Sequence, residues 1–174
     1  VSNSVDEYVD LGPYNNFNLS NTSMTILLDV NATSFGDNSG AEAYILGTPM
    51  FGGNNDRGFS IRSESNSEFS VVVGGNSNIV YTYSNQKQTN KWYNLAIVLD
   101  QTQDIIYFYV DGFLESQNSI SQIGTINNAY NLIIGAFYNG SSRLREFSGM
   151  VDNISIWNTA LNAQKISEYT TCAP

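Results

Sequence analysis

Histidine is missing altogether, and cysteine occurs once, at Cys172, in a chain of 174 residues. No Ser-His-Asp or Cys-His nucleophile pair can therefore be built, and no His-ligated zinc or imidazole switch. A lone cysteine cannot close an internal disulfide. Nothing basic adjoins Cys172 to lower its pKa, so it does not read as a nucleophile. Basic residues are also scarce: 7 Lys+Arg stand against 16 Asp+Glu, a formal charge of −9. That balance opposes the phosphate-neutralising surface of a nucleic-acid binder, so no nucleic-acid partner is expected. No run of about 18 apolar residues exists, and no membrane insertion is expected. No charged-then-apolar leader opens the sequence, so any signal peptide is expected to have been removed or to lie outside it.

What replaces charge is asparagine and serine. Charged residues make up only 13 %, while Asn occurs 23 times. Short polar side chains that hydrogen-bond their own backbone favour turns and disfavour helix interiors. Aromatic residues reach 13 % and hydrophobic residues 41 %, enough for one packed core in a chain this long. Residues 1–174 are therefore read as a single domain. Low lysine, a single cysteine and abundant Asn, Ser, Thr and Tyr suit an extracellular or cell-surface protein, of bacterial type.

Strand patterns recur at short spacing: Tyr8–Leu11, Met24–Val30, Tyr44–Leu46, Phe59–Arg62, Phe69–Val73, Ile79–Tyr83, Trp92–Leu99, Ile105–Val110, Phe113–Gln117, Asn131–Ala136 and Met150–Trp157. Asp111-Gly112 lies between two of them and specifies a two-residue type I′ hairpin. In Trp92–Leu99 both alternating faces are largely apolar, which predicts a central strand covered on each side. A single short helix is expected within Ala160–Tyr169, with Leu161 and Ile166 capping one sheet edge. Many short strands with Gly/Asn turns and one helix predict an all-β antiparallel sandwich.

Three ordered stretches sharpen that class. They are Glu7–Gly12 with Met24-Thr25-Ile26; Lys91–Asp100 with Ile106–Gly112; and Leu132–Ala136 with Phe147–Asn158 and Ala160-Leu161. Together they resemble the concanavalin A-like lectin/glucanase superfamily in its laminin-G-like branch. The resemblance implies a jelly-roll β-sandwich of two antiparallel sheets, and both tryptophans, Trp92 and Trp157, match core positions of that family. It also implies a module of a larger secreted protein.

Glucanases of this fold set two carboxylates on alternate positions of one strand, so that both face the sugar. No such spacing is present. Adjacent Asp6 and Glu7 would face opposite ways, and Glu64 and Glu68 fall in a Ser-rich turn and read as solvated surface. The expectation is a non-enzyme: a non-catalytic carbohydrate-binding module, monomeric in isolation, with a polysaccharide or glycan as partner. The alternatives are a cell-surface adhesion or protein-interaction domain and a hydrolase with an unrecognised acid pair.

Candidate binding residues come from loops and strand aromatics. Phe51, Asn54, Asn55, Asp56 and Arg57 form one Gly-flexed polar loop, and Tyr138, Asn139 and Arg143 belong to a second. Tyr81 and Tyr83 share a strand face. Aromatic faces stack on pyranoses, while Asn, Asp and Arg hydrogen-bond hydroxyls. Arg57 and Arg143 could also clamp an anionic sugar. The other reading of these loops is plain turn chemistry. Calcium is the expected cofactor, in a structural role. Asp152 interrupts an otherwise apolar strand, where an unpaired buried carboxylate is costly. The resemblance implies Asp152 and Asp6 as ligands, brought together by neighbouring first and last strands, with backbone carbonyls completing the site. The alternative for Asp152 is a loop hydrogen bond or an ion pair with Arg145.

Overall fold

The structure is a computed structural model, and it describes residues 8–17, 22–49, 58–126, 130–138 and 143–171. The strands are β1 (Val9–Pro13), β2 (Met24–Ala32), β3 (Ala43–Gly47), β4 (Gly58–Ser63), β5 (Phe69–Gly74), β6 (Ile79–Tyr83), β7 (Trp92–Asp100), β8 (Ile105–Val110), β9 (Phe113–Ser119), β10 (Asn131–Ile134), β11 (Phe137–Tyr138), β12 (Arg143–Leu144) and β13 (Gly149–Trp157). A 3₁₀ turn, Tyr14–Phe17, follows β1, and one helix, α1 (Ala163–Thr171), follows β13.

Two sheets carry the fold. One has the order β1-β10-β3-β4-β5-β6, the other β13-β2-β7-β8-β9, and β11-β12 form a small hairpin. Every strand pair is antiparallel. The core fills the space between the sheets. Ile26, Leu28, Leu95, Ile97 and Phe108 from one side meet Ile45, Phe59, Ile61, Phe69 and Val71 from the other. At the strand step of period 2 these positions are one face of each strand, and the two inner faces interdigitate.

Strand β7 is central and covered twice, as its composition requires. Leu95, Ile97 and Leu99 enter the main core, while Ala96 and Val98 enter a second cluster with Leu27, Tyr109 and Ile166 of α1. The helix therefore covers the outer face of the five-stranded sheet and does not cap a sheet edge. It begins three residues later than the sequence suggests, because Asn162 caps it: Lys165 N–H donates to Asn162 Oδ1 at 2.9 Å. A nine-residue helix spans only about 14 Å, and it stops short of the start of β7. Trp92 consequently stands 45 % exposed, and Trp157 is half-buried against Tyr169, with ring centroids 5.1 Å apart. The expected burial of both tryptophans is corrected accordingly.

The hairpin after β8 forms as its residues dictate. Asp111 and Gly112 have φ of 51° and 79°, the left-handed pair of a type I′ turn, and Val110 faces Phe113 across it. At the sandwich's open side, β9 hydrogen-bonds β6 through side chains. Ser116 Oγ donates to Tyr83 O at 2.6 Å and Asn118 Nδ2 to Tyr81 O at 3.0 Å. Two carbonyls of an edge strand are thereby satisfied without extending the sheet.

Candidate functional site

The outer face of the six-stranded sheet carries the richest row of binding side chains. Register aligns Tyr44 on β3, Arg62 on β4, Ser70 on β5 and Tyr83 on β6. The next row is Gly47, Ser60, Val72 and Tyr81. Core residues such as Ile61, Val71 and Val73 alternate with these positions, so both rows point away from the interior.

The row is closed at β3 and open at β6. Tyr44 and Arg62 are buried, whereas Tyr81 and Tyr83 are 47 % and 44 % exposed. The guanidinium carbon of Arg62 lies 4.4 Å from the Tyr44 ring centroid, and Arg62 Nε donates to Ser60 Oγ at 2.7 Å. Glu42 links two arginines: its Oε2 accepts from Arg145 Nη1 at 2.9 Å, and its Oε1 lies 3.8 Å from Arg62 Nη1. The Tyr44 ring also meets Phe137, at 5.0 Å between centroids. Burial pushes the Tyr44 hydroxyl up to about 12, against the lowering influence of Arg62. Packing and charge thus fix Arg62 in one posture, the kind of preorganisation that lowers the entropy cost of binding.

At the open end, Tyr81 and Tyr83 stand two residues apart with nearly parallel rings, 9° between planes and 6.4 Å between centroids. Their strand is held by Ser116 and Asn118, as described. Ser70 donates its hydroxyl to Glu64. Burial, followed by the charge of Glu64, raises the Tyr83 pKa above its ordinary value. Two exposed aromatic faces, phenol hydroxyls, a carboxylate and an arginine behind them form a surface able to stack on a sugar ring and hydrogen-bond its hydroxyls.

Of the residues expected from sequence, the structure places Tyr81 and Tyr83 together here. Phe51, Asn54, Asn55, Asp56, Arg57, Asn139 and Asp6 lie outside the described residues. The backbones of Tyr138 and Arg143 pair with each other in the β11-β12 hairpin. Arg62, Tyr44, Ser70 and Glu64 were missed as site residues. The signal available was alternation: Ser60 and Arg62 share the polar face of Phe59–Arg62, and Arg62 is one of only four arginines. Glu64 is half-buried and hydrogen-bonded, not free surface.

The premises for calcium at Asp152 change in two ways. Asp152 is exposed, because β13 carries a bulge between Asp152 and Ser155 with Asn153 at φ 51°. Its Oδ1 accepts the Asn153 N–H at 2.8 Å. Arg145 pairs with Glu42 and Asp37, not with Asp152. The first and last strands do not hydrogen-bond to each other: β1 pairs with β10 and β13 with β2, each at the edge of a different sheet. Among the described residues no group of three or more Asp or Glu side chains is placed to hold a metal ion. Asp6, the other expected ligand, and the carbonyls of the segment before Tyr8 lie outside the described residues.

A two-sheet antiparallel jelly roll with one outer helix defines a lectin-type β-sandwich. Residues 3–167 match the laminin-G-type profile described as the concanavalin A-like lectin/glucanases superfamily. The chain belongs to that superfamily. Comparison with curated proteins gives no match. Among solved structures, the chain resembles a heptameric SAP-like pentraxin from Limulus polyphemus at 14 % identity and a TM-score of 0.69, covering 99 % of this chain and 79 % of that one. It resembles the NanB sialidase of Streptococcus pneumoniae at 19 % identity and a TM-score of 0.75, covering 93 % of this chain and 26 % of that one. It also resembles the CBM40 module of the Ruminococcus gnavus IT-sialidase, solved with alpha2,3 sialyllactose, at 12 % identity and a TM-score of 0.72, covering 94 % of this chain and 96 % of that one. At these identities the likeness is one of fold. The chain spans about a quarter of the length of the pneumococcal sialidase chain.

Proposed function

We propose that this chain is a non-catalytic carbohydrate-binding module of a secreted or cell-surface bacterial protein that acts on polysaccharide. The observation that carries the reading is the exposed, near-parallel Tyr81–Tyr83 pair at the open end of the Tyr44-Arg62-Ser70-Tyr83 row. The tyrosine faces take the apolar face of a pyranose, and Glu64 and the phenol hydroxyls take its hydroxyls. Arg62 lends positive potential from behind. That a fold-alike bacterial module was solved with a sialylated trisaccharide supports the class of ligand without naming the sugar.

The test is a panel of immobilised plant, algal and animal polysaccharides, probed with the wild type and with Tyr81→Ala/Tyr83→Ala. Retention on at least one glycan, lost in the double variant, is the expected result. No retention on any of them, with capture by a purified cell-surface protein instead, would replace the reading with an adhesion domain. Release of reducing sugar would show an enzyme.

A further inference from the structure

The outer face of the five-stranded sheet carries a second tyrosine pair at alternate positions of one strand. Tyr107 and Tyr109 on β8 have ring centroids 6.4 Å apart, the same spacing as Tyr81 and Tyr83 on the other sheet. Beside them, between β8 and the segment leading into α1, lies a cavity of about 320 Å³. Tyr107, Tyr109, Asp100 and Gln103 line one side and Leu161 and Asn162 the other, with Val98 between them. Its size is at the lower end of small-molecule sites, ~300–1,000 Å³. None of its lining residues belongs to the Tyr81–Tyr83 surface, so the two sites stand or fall separately.

Both sides of the cavity are fixed before any ligand arrives. Thr25 is fully buried; its hydroxyl donates to Thr159 O at 2.7 Å and accepts the Leu161 N–H at 2.9 Å, which pins the segment before α1 to β2. Asp100 Oδ1 accepts the N–H of Thr102 at 2.9 Å and of Gln103 at 3.1 Å, closing the turn after β7. The Tyr107 hydroxyl donates to Gln103 Oε1 at 3.1 Å and orients that amide. Side chains already held in place bind at a lower entropy cost.

The polar groups left unused define the ligand. Tyr109 is only 7 % exposed, and a tyrosine buried to that degree ordinarily finds a partner for its hydroxyl. Among the described residues the Tyr109 hydroxyl has none, and it is not one of the sealed polar atoms, so it opens on the cavity that its residue lines. Burial, followed by the neighbouring Tyr107, raises its pKa, so it stays a neutral phenol that both donates and accepts. Gln103 Nε2 and Asn162 Nδ2 donate to no described residue, and Asp100 Oδ2 accepts from none. No lysine or arginine lines the cavity, so an anion finds no counter-charge, and a cation meets one carboxylate alone. A wholly apolar ligand would strand the two amides. A neutral pyranose satisfies all of these groups: its C–H face lies on an aromatic ring, and each of its hydroxyls donates and accepts.

We propose that this cavity is a second carbohydrate site, for an uncharged pyranose, with the sugar ring against Tyr107 and its hydroxyls on Gln103, Asn162, Asp100 and Tyr109. The assay is ¹H–¹³C NMR of the whole chain, following the Tyr107 and Tyr109 ring resonances during titration with glucose, galactose, mannose and glucuronate. At least one of the three neutral hexoses should shift both rings at millimolar concentration, with glucuronate at least about tenfold weaker than that hexose. Gln103→Ala should weaken the same hexose about fivefold, in line with loss of one hydrogen-bonding amide. As Gln103 is exposed, that variant should melt with the wild type. Tyr81→Ala/Tyr83→Ala should leave the response intact, whether or not the other sheet binds glycan. No response to any of the three hexoses overturns the proposal. So does glucuronate binding as tightly as the best hexose, which would mean the neutral lining is not read. A response that survives Gln103→Ala unchanged, or that disappears in Tyr81→Ala/Tyr83→Ala, would place the sugar outside this cavity and overturns it too.

Discussion

Replacing Ile166 by alanine should undock α1. Ile166 is fully buried, and its contacts are Leu27, Ala96, Val98 and Tyr109 on the outer face of the five-stranded sheet. A nine-residue helix is not stable alone in water, so α1 exists because this face holds it. Truncating a buried Ile to Ala removes transfer energy and leaves a void, about 2–5 kcal/mol in packed cores. The satellite cluster is small and lies next to partly exposed Leu161 and Trp157, so it can partly collapse. A loss of about 3 kcal/mol is therefore expected. For a domain of this size, that corresponds to a fall in Tm of roughly 6–12 °C. Calorimetry, with hydrogen exchange of the helix amides, reads both parts of the effect. A Tm within about 2 °C of the wild type, with α1 amides equally protected, would refute the argument that one isoleucine anchors the helix.

Two further outcomes follow from local geometry. Glu115 accepts from the Asn85 N–H, from Asn85 Nδ2 and from Lys87 Nζ, the last at 2.9 Å, tying the segment after β6 to β9. Burial alone would raise its pKa, but these hydrogen bonds and the Lys87 charge outweigh it and hold the carboxyl below its ordinary value of 4.5. A depressed carboxylate contributes stability that is present above its unfolded value and lost as pH falls through its folded value. Urea midpoints measured between neutral and acid pH should therefore drop below about pH 4.5, and Glu115→Gln should flatten part of that drop; an unchanged slope would contradict it. Gly112 has φ 79°, and a Cβ there would meet Thr170 Oγ1 at 2.6 Å. Gly112→Ala should cost about 1–2 kcal/mol by urea unfolding, from left-handed strain and contact with α1; a neutral effect would mean the hairpin turn relaxes freely.

Much of the fold was legible because strand alternation is a local rule. The two apolar faces of Trp92–Leu99 identified a strand covered on both sides, and Asp111-Gly112 identified its neighbouring hairpin. What covered the second face was not local. The apolar pattern at Leu161 and Ile166 identified a helix, but its length decided that Ala96 and Val98 would be roofed and Trp92 left open. Asp152 misled for a related reason. Its strand reads as continuous, and only the left-handed Asn153 reveals a bulge that turns the carboxylate outward. At the candidate site, Tyr81 and Tyr83 could be read from one strand. The Tyr44-Arg62-Ser70-Tyr83 row needs the register of four strands separated in sequence by loops, and no local pattern sets that register.

The central claim is that the Tyr81–Tyr83 face binds carbohydrate. The most direct measurement is isothermal titration calorimetry of the wild type and of Tyr81→Ala/Tyr83→Ala with the best-retained glycan, at matched thermal stability. Aromatic side chains that stack on nucleic-acid bases contribute about 1–3 kcal/mol each when truncated, and tyrosines stacked on a pyranose are expected to contribute on the same order. The double variant should thus lose at least about tenfold in affinity. Unchanged affinity in a folded double variant would place the sugar elsewhere and contradict the account.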